Sequence, residues 1–299
     1  MEQASGAPWE RAVRLDAGWA VAALRQHTGV HLVVEGTCRG GQVGAAYVRW
    51  LDGRRSVLTW QPGLSADSSR ARQLATLDVL RGRGYPGPAI ELAVDVERPG
   101  GGTAVILVQQ LLPGAPPGRV THELLDELLH LVDLKAHALA GRSDIPQVRL
   151  HLRDDGPGYC LHEPLLRHSD RGAVLERWVT SVGDAYPDDV LPGDDAVHMD
   201  FQPTNVLAEG PRLTGVVDWD GAGRGDRRLD LVTLRFGLWP DKANSDVAQR
   251  LDRVLDDVPP DVLGPAWAHM ALRMLDWAIR HFPPDDVGGW FDLAEQRTN

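Results

Sequence analysis

Residues 197–220, VHMDFQPTNVLAEGPRLTGVVDWD, constrain the fold of this chain more than any other stretch. They place His198, Asp200 and Asn205 in the pattern H-x-D-x-x-x-x-N. Thirteen residues past Asn205 the apolar run 213–217 ends on a lone acid, Asp218. An isolated Asp or Asn is usually a turn or cap residue. Here the spacing, the flanking apolar runs and the order along the chain agree on one arrangement, a loop and a strand end that bring their oxygens together. Phosphoryl transfer needs such a set: a carboxylate to orient and deprotonate a hydroxyl, and oxygen ligands to hold Mg²⁺ on the phosphates. Asp200 suits the first task. Asn205 and Asp218, as hard oxygen donors, suit the second.

The 299 residues suit two modest domains, or one bilobal enzyme with a core in each lobe. A net charge of −11 argues against a nucleic-acid binder, which would cluster Lys and Arg. It is compatible with a cationic substrate, although acidity also serves solubility. The pairs 188–189, 194–195, 256–257 and 285–286 are acidic clusters, available to a cleft or simply solvated. The two cysteines, Cys38 and Cys160, have no C-x-x-C spacing, so neither a zinc nor a redox site is expected. His122, His130 and His137 recur at eight and seven residues, not the three or four that converge on one ion. No signal peptide and no span of 18 apolar residues is visible, and free thiols fit a cytoplasmic protein.

Asp16 can cap a helix running to Gln26, with Gly29 as its stop. Residues 31–34, 45–50, 56–60, 90–96 and 103–111 read as strands, with Asp52-Gly53 a hairpin signal and 65–83 a helix between them. The stretch 112–118, LPGAPPG, is linker-like. Helices are expected over 121–140, 172–182 and 266–280, and the chain looks helical from Asp246 onward. Gly36, Gly40, Gly41 and Gly44 lie between the first two strands without forming a clean G-x-G-x-x-G. They suit either a loop covering phosphates with backbone N–H groups or a plain hairpin turn. No G-x-x-x-x-G-K-[ST] occurs.

The pieces HMDFQPTN and VVDWDGAGRGDRRLDL resemble the aminoglycoside phosphotransferase and choline kinase group, small-molecule relatives of the protein kinases. The group's Asp-Trp-acid triplet, Gly-Asp pair and Asp-Leu match Asp218-Trp219-Asp220, Gly225-Asp226 and Asp230-Leu231. The likeness is specific in the C-terminal half and weaker before Leu112. It implies an α+β, bilobal, protein-kinase-like fold, with a small β-rich N-lobe over residues 1–111 and a larger, mainly helical C-lobe over 112–299. It implies Asp200 as catalytic base, Asn205 and Asp218 as Mg²⁺ ligands, and His198 as a brace of the loop. Asp220 is then a supporting acid or a substrate contact, while Asp226 and Asp230 are structural. ATP, with GTP also compatible, would set its adenine against Gln109, Gln110 and Leu111. Arg39, Gly40 and Gly41 would serve its phosphates.

The group usually carries a lysine on the third strand, paired with a glutamate on the next helix. Alignment puts Thr59 and Gln73 there, so both charges are gone together. Some kinases of tuberactinomycin peptides, of the viomycin type, also lack a lysine there. Arg39, Arg54, Arg55 and Arg72 are nearby cations, though strand and helix facing could turn the last three to solvent. The resemblance implies an O-phosphotransferase of a small antibiotic, an aminoglycoside or a tuberactinomycin peptide, acting as monomer or dimer without nucleic acid or membrane. A kinase of a macrolide or small metabolite, or a non-catalytic nucleotide-binding pseudokinase, is the alternative.

Overall fold

A computed structural model describes residues 14–38, 44–186, 189–239 and 242–298, the side chains of residues 69–71 excepted. The chain begins with helix α1 (Ala17–Thr28). Asp16 caps it by accepting the Trp19 N–H at 3.0 Å, and Gly29 ends it in the left-handed region at φ 73°. Strands β1 (Leu32–Thr37), β2 (Ala46–Trp50), β3 (Arg55–Pro62), β4 (Ile90–Glu97) and β5 (Thr103–Gln110) form one antiparallel sheet in the order β1-β2-β3-β5-β4.

Strand alternation gives this sheet two working faces. Leu58 and Trp60 of β3, with Val48, Ile106 and Val108, meet Leu24 and Ala20 of α1 in one apolar cluster. The opposite face presents Val57, Thr59 and Gln61 of β3 beside Gln109, Leu107 and Val105 of β5. Over this face runs a segment expected as one helix from 65 to 83. It is in fact α2 (Ala66–Ser69), a π-helical turn (Arg70–Leu74) and α3 (Ala75–Gly82). A π turn inserts a residue into the helical ladder and rotates the side chains that follow.

The C-terminal lobe is mainly helical: α4 (His122–Leu134), α5 (His162–His168), α6 (Asp170–Asp184), α7 (Leu229–Gly237), α8 (Ser245–Asp256), α9 (Pro260–His281) and α10 (Pro284–Ala294). One continuous core joins Leu128, Phe201, Trp219, Phe236 and Trp267. The helix expected over 121–140 stops at Leu134, with Thr121 as its cap, and turns follow. The short helix α5 was not anticipated. Two small ribbons sit within the helices: β6 (Asp195–Val197) with β9 (Gly223–Gly225), and β7 (Val206–Glu209) with β8 (Arg212–Val216).

These ribbons hold both ends of the two site loops, 198–205 and 217–222. Helix α7 presses on the first loop at Gly237, where a Cβ would come within 2.7 Å of Gln202 Cβ. Only glycine permits that approach. Cys38 and Cys160 are free thiols. Among the described residues no helix is long and apolar enough to cross a membrane.

Candidate active site

The loop 198–205 is fixed from below by a buried acid. Asp230, at the start of α7, accepts the backbone N–H of His198 at 2.8 Å, that of Met199 at 3.0 Å and the ammonium of Lys135 at 2.5 Å. Lys135 and Asp230 are both fully buried. The Lys135 ammonium also lies 4.2 Å from the Phe201 ring centroid. Burial pulls its pKa down while Asp230 pulls it up, and burial dominates. This bracket holds Met199 at φ 69°, a conformation costly for a side chain without local polar compensation.

His198 uses both ring nitrogens within the loop. Nδ1 accepts the Asp200 N–H at 3.2 Å, and Nε2–H donates to the Val217 carbonyl at 3.0 Å. Its ring lies 4.4 Å from that of Trp219. Burial pushes its pKa down to about 4, so the imidazole is neutral at physiological pH. Val217 immediately precedes Asp218, so this bond ties the first loop to the second.

Asp200 is surrounded by donors. Its Oδ1 accepts from Arg273 at 2.6 Å and from the Gln202 amide at 3.0 Å. Its Oδ2 accepts from the Asn205 amide at 2.7 Å. Arg273 projects from α9 and also donates to the Met199 carbonyl at 2.6 Å. Neither Arg273 nor Gln202 was singled out from the sequence. Gln202 lies inside HMDFQPTN and could have been; Arg273 lies 73 positions away and has no motif around it.

Asp218 and Asp220 sit on the second loop, Asp218 at φ 66°, where a short polar side chain is tolerated. Both keep solvent exposure, although protein packs closely around them. The surrounding protein disfavours their charged forms, and neighbouring acids add to this, Asp220 and Asp200 for Asp218, and Asp200 for Asp220. Both pKa values are raised well above the usual carboxylate range. No described side chain donates a hydrogen bond to Asp218. The Asn205 amide N–H₂ makes both of its bonds to Asp200, leaving its carbonyl oxygen for another partner. An underneutralised carboxylate beside a free amide oxygen fits a hard divalent cation.

The position of the missing lysine needs correction. Gln73 does face β3, but it is met by Gln61, two residues beyond Thr59 on the same strand face. The Gln61 amide donates to Gln73 Oε1 at 3.2 Å and also to Asp220. The strand runs to Pro62 rather than Trp60, which carries the facing residue further along. A neutral amide pair therefore joins β3 to the helical segment above it. Gln61, Gln73 and Asp220 line a cavity of about 330 Å³ together with Arg72 and Pro146. A second cavity, of about 560 Å³, opens at the end of β5 between Tyr47, Arg55, Leu111 and Leu112.

At the hinge, Gln110 N–H donates to the Ala89 carbonyl at 2.8 Å, and its side-chain oxygen accepts the Ala89 N–H at 3.3 Å. Gln109 is buried on the cleft face of β5. Arg39, Gly40 and Gly41, expected at the phosphates, lie outside the described residues.

Among the described residues, several members of the acidic clusters have other partners, Asp189 with Arg149 and Arg153 among them. Asp195 accepts from the His137 N–H and from Arg227, and Asp194 accepts from the His137 ring. Asp256 pairs with Arg297, and Asp285 and Asp286 open α10. Among the described residues, His137, Asp194 and Asp195 are the one group of three or more acids, histidines or cysteines close enough to share an ion, and those bonds account for it. Asp226 is taken by Arg228, whose backbone N–H it accepts at 2.9 Å.

The description "Phosphotransferase enzyme family" matches residues 37–273 of this sequence, from β1 to Arg273 itself. The chain belongs to that family. Its fold is shared by three solved antibiotic kinases. The aminoglycoside phosphotransferase APH(4)-Ia, as a thermostable mutant with AMP-PNP and hygromycin B, aligns at 17% identity and TM-score 0.58, covering 93% of this chain and 98% of that one. Amicoumacin kinase hAmiN, with AMP-PNP, Ca²⁺ and Ami, aligns at 12% identity and TM-score 0.60, covering 95% and 94%. Spectinomycin phosphotransferase APH(9)-Ia, with ADP and spectinomycin, aligns at 12% identity and TM-score 0.59, covering 95% and 96%. No curated protein matches the sequence. The protein-kinase-like α+β architecture expected from the sequence is thus the one observed, on a phosphotransferase.

Proposed function

We propose that this phosphotransferase moves the γ-phosphoryl group of ATP to a hydroxyl of a small cationic antibiotic, an aminoglycoside or a tuberactinomycin peptide, and so confers resistance. The observation that carries this reading is the Asp200 carboxylate, held by Arg273, Gln202 and Asn205 beside two acids that no described cation pairs with directly. In this reading the lobes divide between residues 111 and 112. Adenine packs at Gln109, Gln110 and Leu111, and the phosphates run toward Asp218.

Asn205 and Asp218 would hold Mg²⁺, which when bound neutralises charge on the phosphates. Asp220 supports that set through its link to Gln61. Asp200 orients the acceptor hydroxyl and takes its proton late in the transfer. Oδ2 is the receiving atom, because it accepts one hydrogen bond against two at Oδ1. Arg273 keeps the carboxylate aimed, and His198, neutral and doubly bonded, keeps the two loops in register. The overall net charge of −11 suits capture of a polycation over a neutral macrolide.

Mass spectrometry of candidate antibiotics incubated with the protein, ATP and Mg²⁺ tests this. A gain of about 80 Da, the mass of one phosphoryl group, is expected on a cationic acceptor. Nucleotide binding without transfer to any acceptor would instead favour the pseudokinase, a reading that the neutral Gln61–Gln73 pair supports. Transfer to a neutral macrolide or metabolite would reject the cationic substrate alone.

A further inference from the structure

The whole sequence contains only two lysines, Lys135 and Lys242. Lys135 is buried and committed to Asp230. Lys242 is exposed on the 3-10 turn leading into α8. No lysine is available for the role that the strand lysine plays in related kinases, yet a triphosphate still needs donors to its oxygens. The neutral Gln61–Gln73 pair supplies amide hydrogens but no charge.

Among the described small-lobe arginines that border the cleft cavity, Arg72 is placed to supply it. Arg54 is held by Glu91, and Arg55 by Glu35 at 2.7 Å. Arg49 also pairs with Glu35, and Arg83 donates to carbonyls at the end of α4. Arg72 has no hydrogen bond or ion pair among the described residues, and it lines the cavity with Gln61, Gln73 and Asp220. It lies in the π-helical turn Arg70–Leu74, where the widened ladder lets two consecutive residues, Arg72 and Gln73, both border the cavity. A guanidinium there shares the cavity with Asp220, one of the two underneutralised acids, and faces the space where the triphosphate must pass.

We infer that Arg72 supplies the phosphate-binding cation of this enzyme, taking over from the small-lobe helix the task of the missing strand lysine. This rests on the nucleotide reading of the site given above. Its planar fork suits bidentate contact with phosphate oxygens. Its reach comes from the helix rather than the strand, so the Gln61–Gln73 pair need only position the helix.

The test is equilibrium binding of a non-hydrolysable ATP analogue with Mg²⁺, and of adenosine, to the full-length chain and to Arg72→Ala and Arg72→Lys. Arg72 is exposed, so Arg72→Ala should unfold at the wild-type temperature without ligand. It should bind the analogue about tenfold more weakly, the size expected for one charge-assisted contact, with adenosine affinity unchanged. Arg72→Lys should recover part of the loss. Equal affinity of wild type and Arg72→Ala for the analogue would overturn the inference alone. So would an equal loss for adenosine, or weakened acceptor binding with nucleotide binding intact. A wild-type chain that binds no nucleotide would overturn the underlying reading as well.

Discussion

Gln61 donates its side-chain amide to Asp220, joining the third strand of the small lobe to a loop 159 positions further along the chain. The same amide also reaches Gln73, so strand, helix and large-lobe acid meet at one uncharged group. An amide can make this junction without an ion pair, which leaves the cleft acids underneutralised until a cation arrives. Gln61→Ala should therefore loosen the lobes more than it harms the chemistry. The KM for ATP should rise several-fold, about 1 kcal/mol for a lost hydrogen bond, while kcat stays within a factor of about two. Steady-state kinetics over a range of ATP concentrations would show this. A collapse of kcat at unchanged KM would mean that Gln61 acts on the transferred group itself.

Asp200 and Arg273 should separate by the kind of loss they cause. Asp200→Ala should lower kcat by at least about a hundredfold, the low end for losing general-base catalysis, with nucleotide affinity largely kept. Arg273→Ala leaves the base in place but unaimed and should lower kcat about tenfold or more, the scale of one charge-assisted contact, with the KM for ATP little changed. Arg273→Lys should not restore it. A lysine cannot span the Asp200 carboxylate and the Met199 carbonyl together as the guanidinium does. Full recovery with lysine would show that only charge is needed there.

The buried Lys135–Asp230 pair predicts an asymmetric response to mutation. Removing one member of a buried pair costs about 3–5 kcal/mol. Lys135→Met leaves Asp230 with the N–H groups of His198 and Met199, which still solvate its charge. Asp230→Ala strands the ammonium and both backbone donors at once. Urea denaturation should place Asp230→Ala well below Lys135→Met in stability, and only Asp230→Ala should release the site loop. Equal losses in the two variants would show that the ion pair alone holds the bracket.

Loop 198–205 and the second acid loop were legible because their oxygen-bearing side chains lie within short, ordered motifs. Gln73 was legible too, by counting back from Gly84. Its partner was missed by two positions, because strand alternation makes Thr59 and Gln61 equivalent in face and only the true strand end at Pro62 separates them. The π turn at Arg70–Leu74 leaves no mark on apolar periodicity, so Arg72 could not be assigned to the cleft. Arg273 comes from a helix whose other buried residues are mostly apolar, and no spacing rule connects it to Asp200. Lys135 carried a signal, a rare lysine at the end of an apolar helix, but burial with a partner is visible only in three dimensions.

The raised pKa values of Asp218 and Asp220 lead to a stability prediction whose sign runs against function. Each acid ionises at a higher pH in the folded chain than in the unfolded chain, where the value is near 3.8. The folded state therefore holds extra protons above that pH. Stability without ligand should fall as pH rises from about 4 through the raised values, then level off. Asp218→Asn removes one of these charges and eases the ionisation of Asp220. Its thermal unfolding temperature should exceed that of the wild type at pH 8 and match it near pH 4. The same substitution should abolish Mg²⁺-dependent nucleotide binding, because the amide offers one neutral oxygen in place of a carboxylate. Wild type should gain the lost stability back when Mg²⁺ and nucleotide are added at pH 8, with Asp218→Asn gaining little. Thermal scans at the two pH values, with and without Mg²⁺ and nucleotide, provide the check. An Asp218→Asn variant less stable than wild type at pH 8 would show that the carboxylate supports the folded loop instead of burdening it.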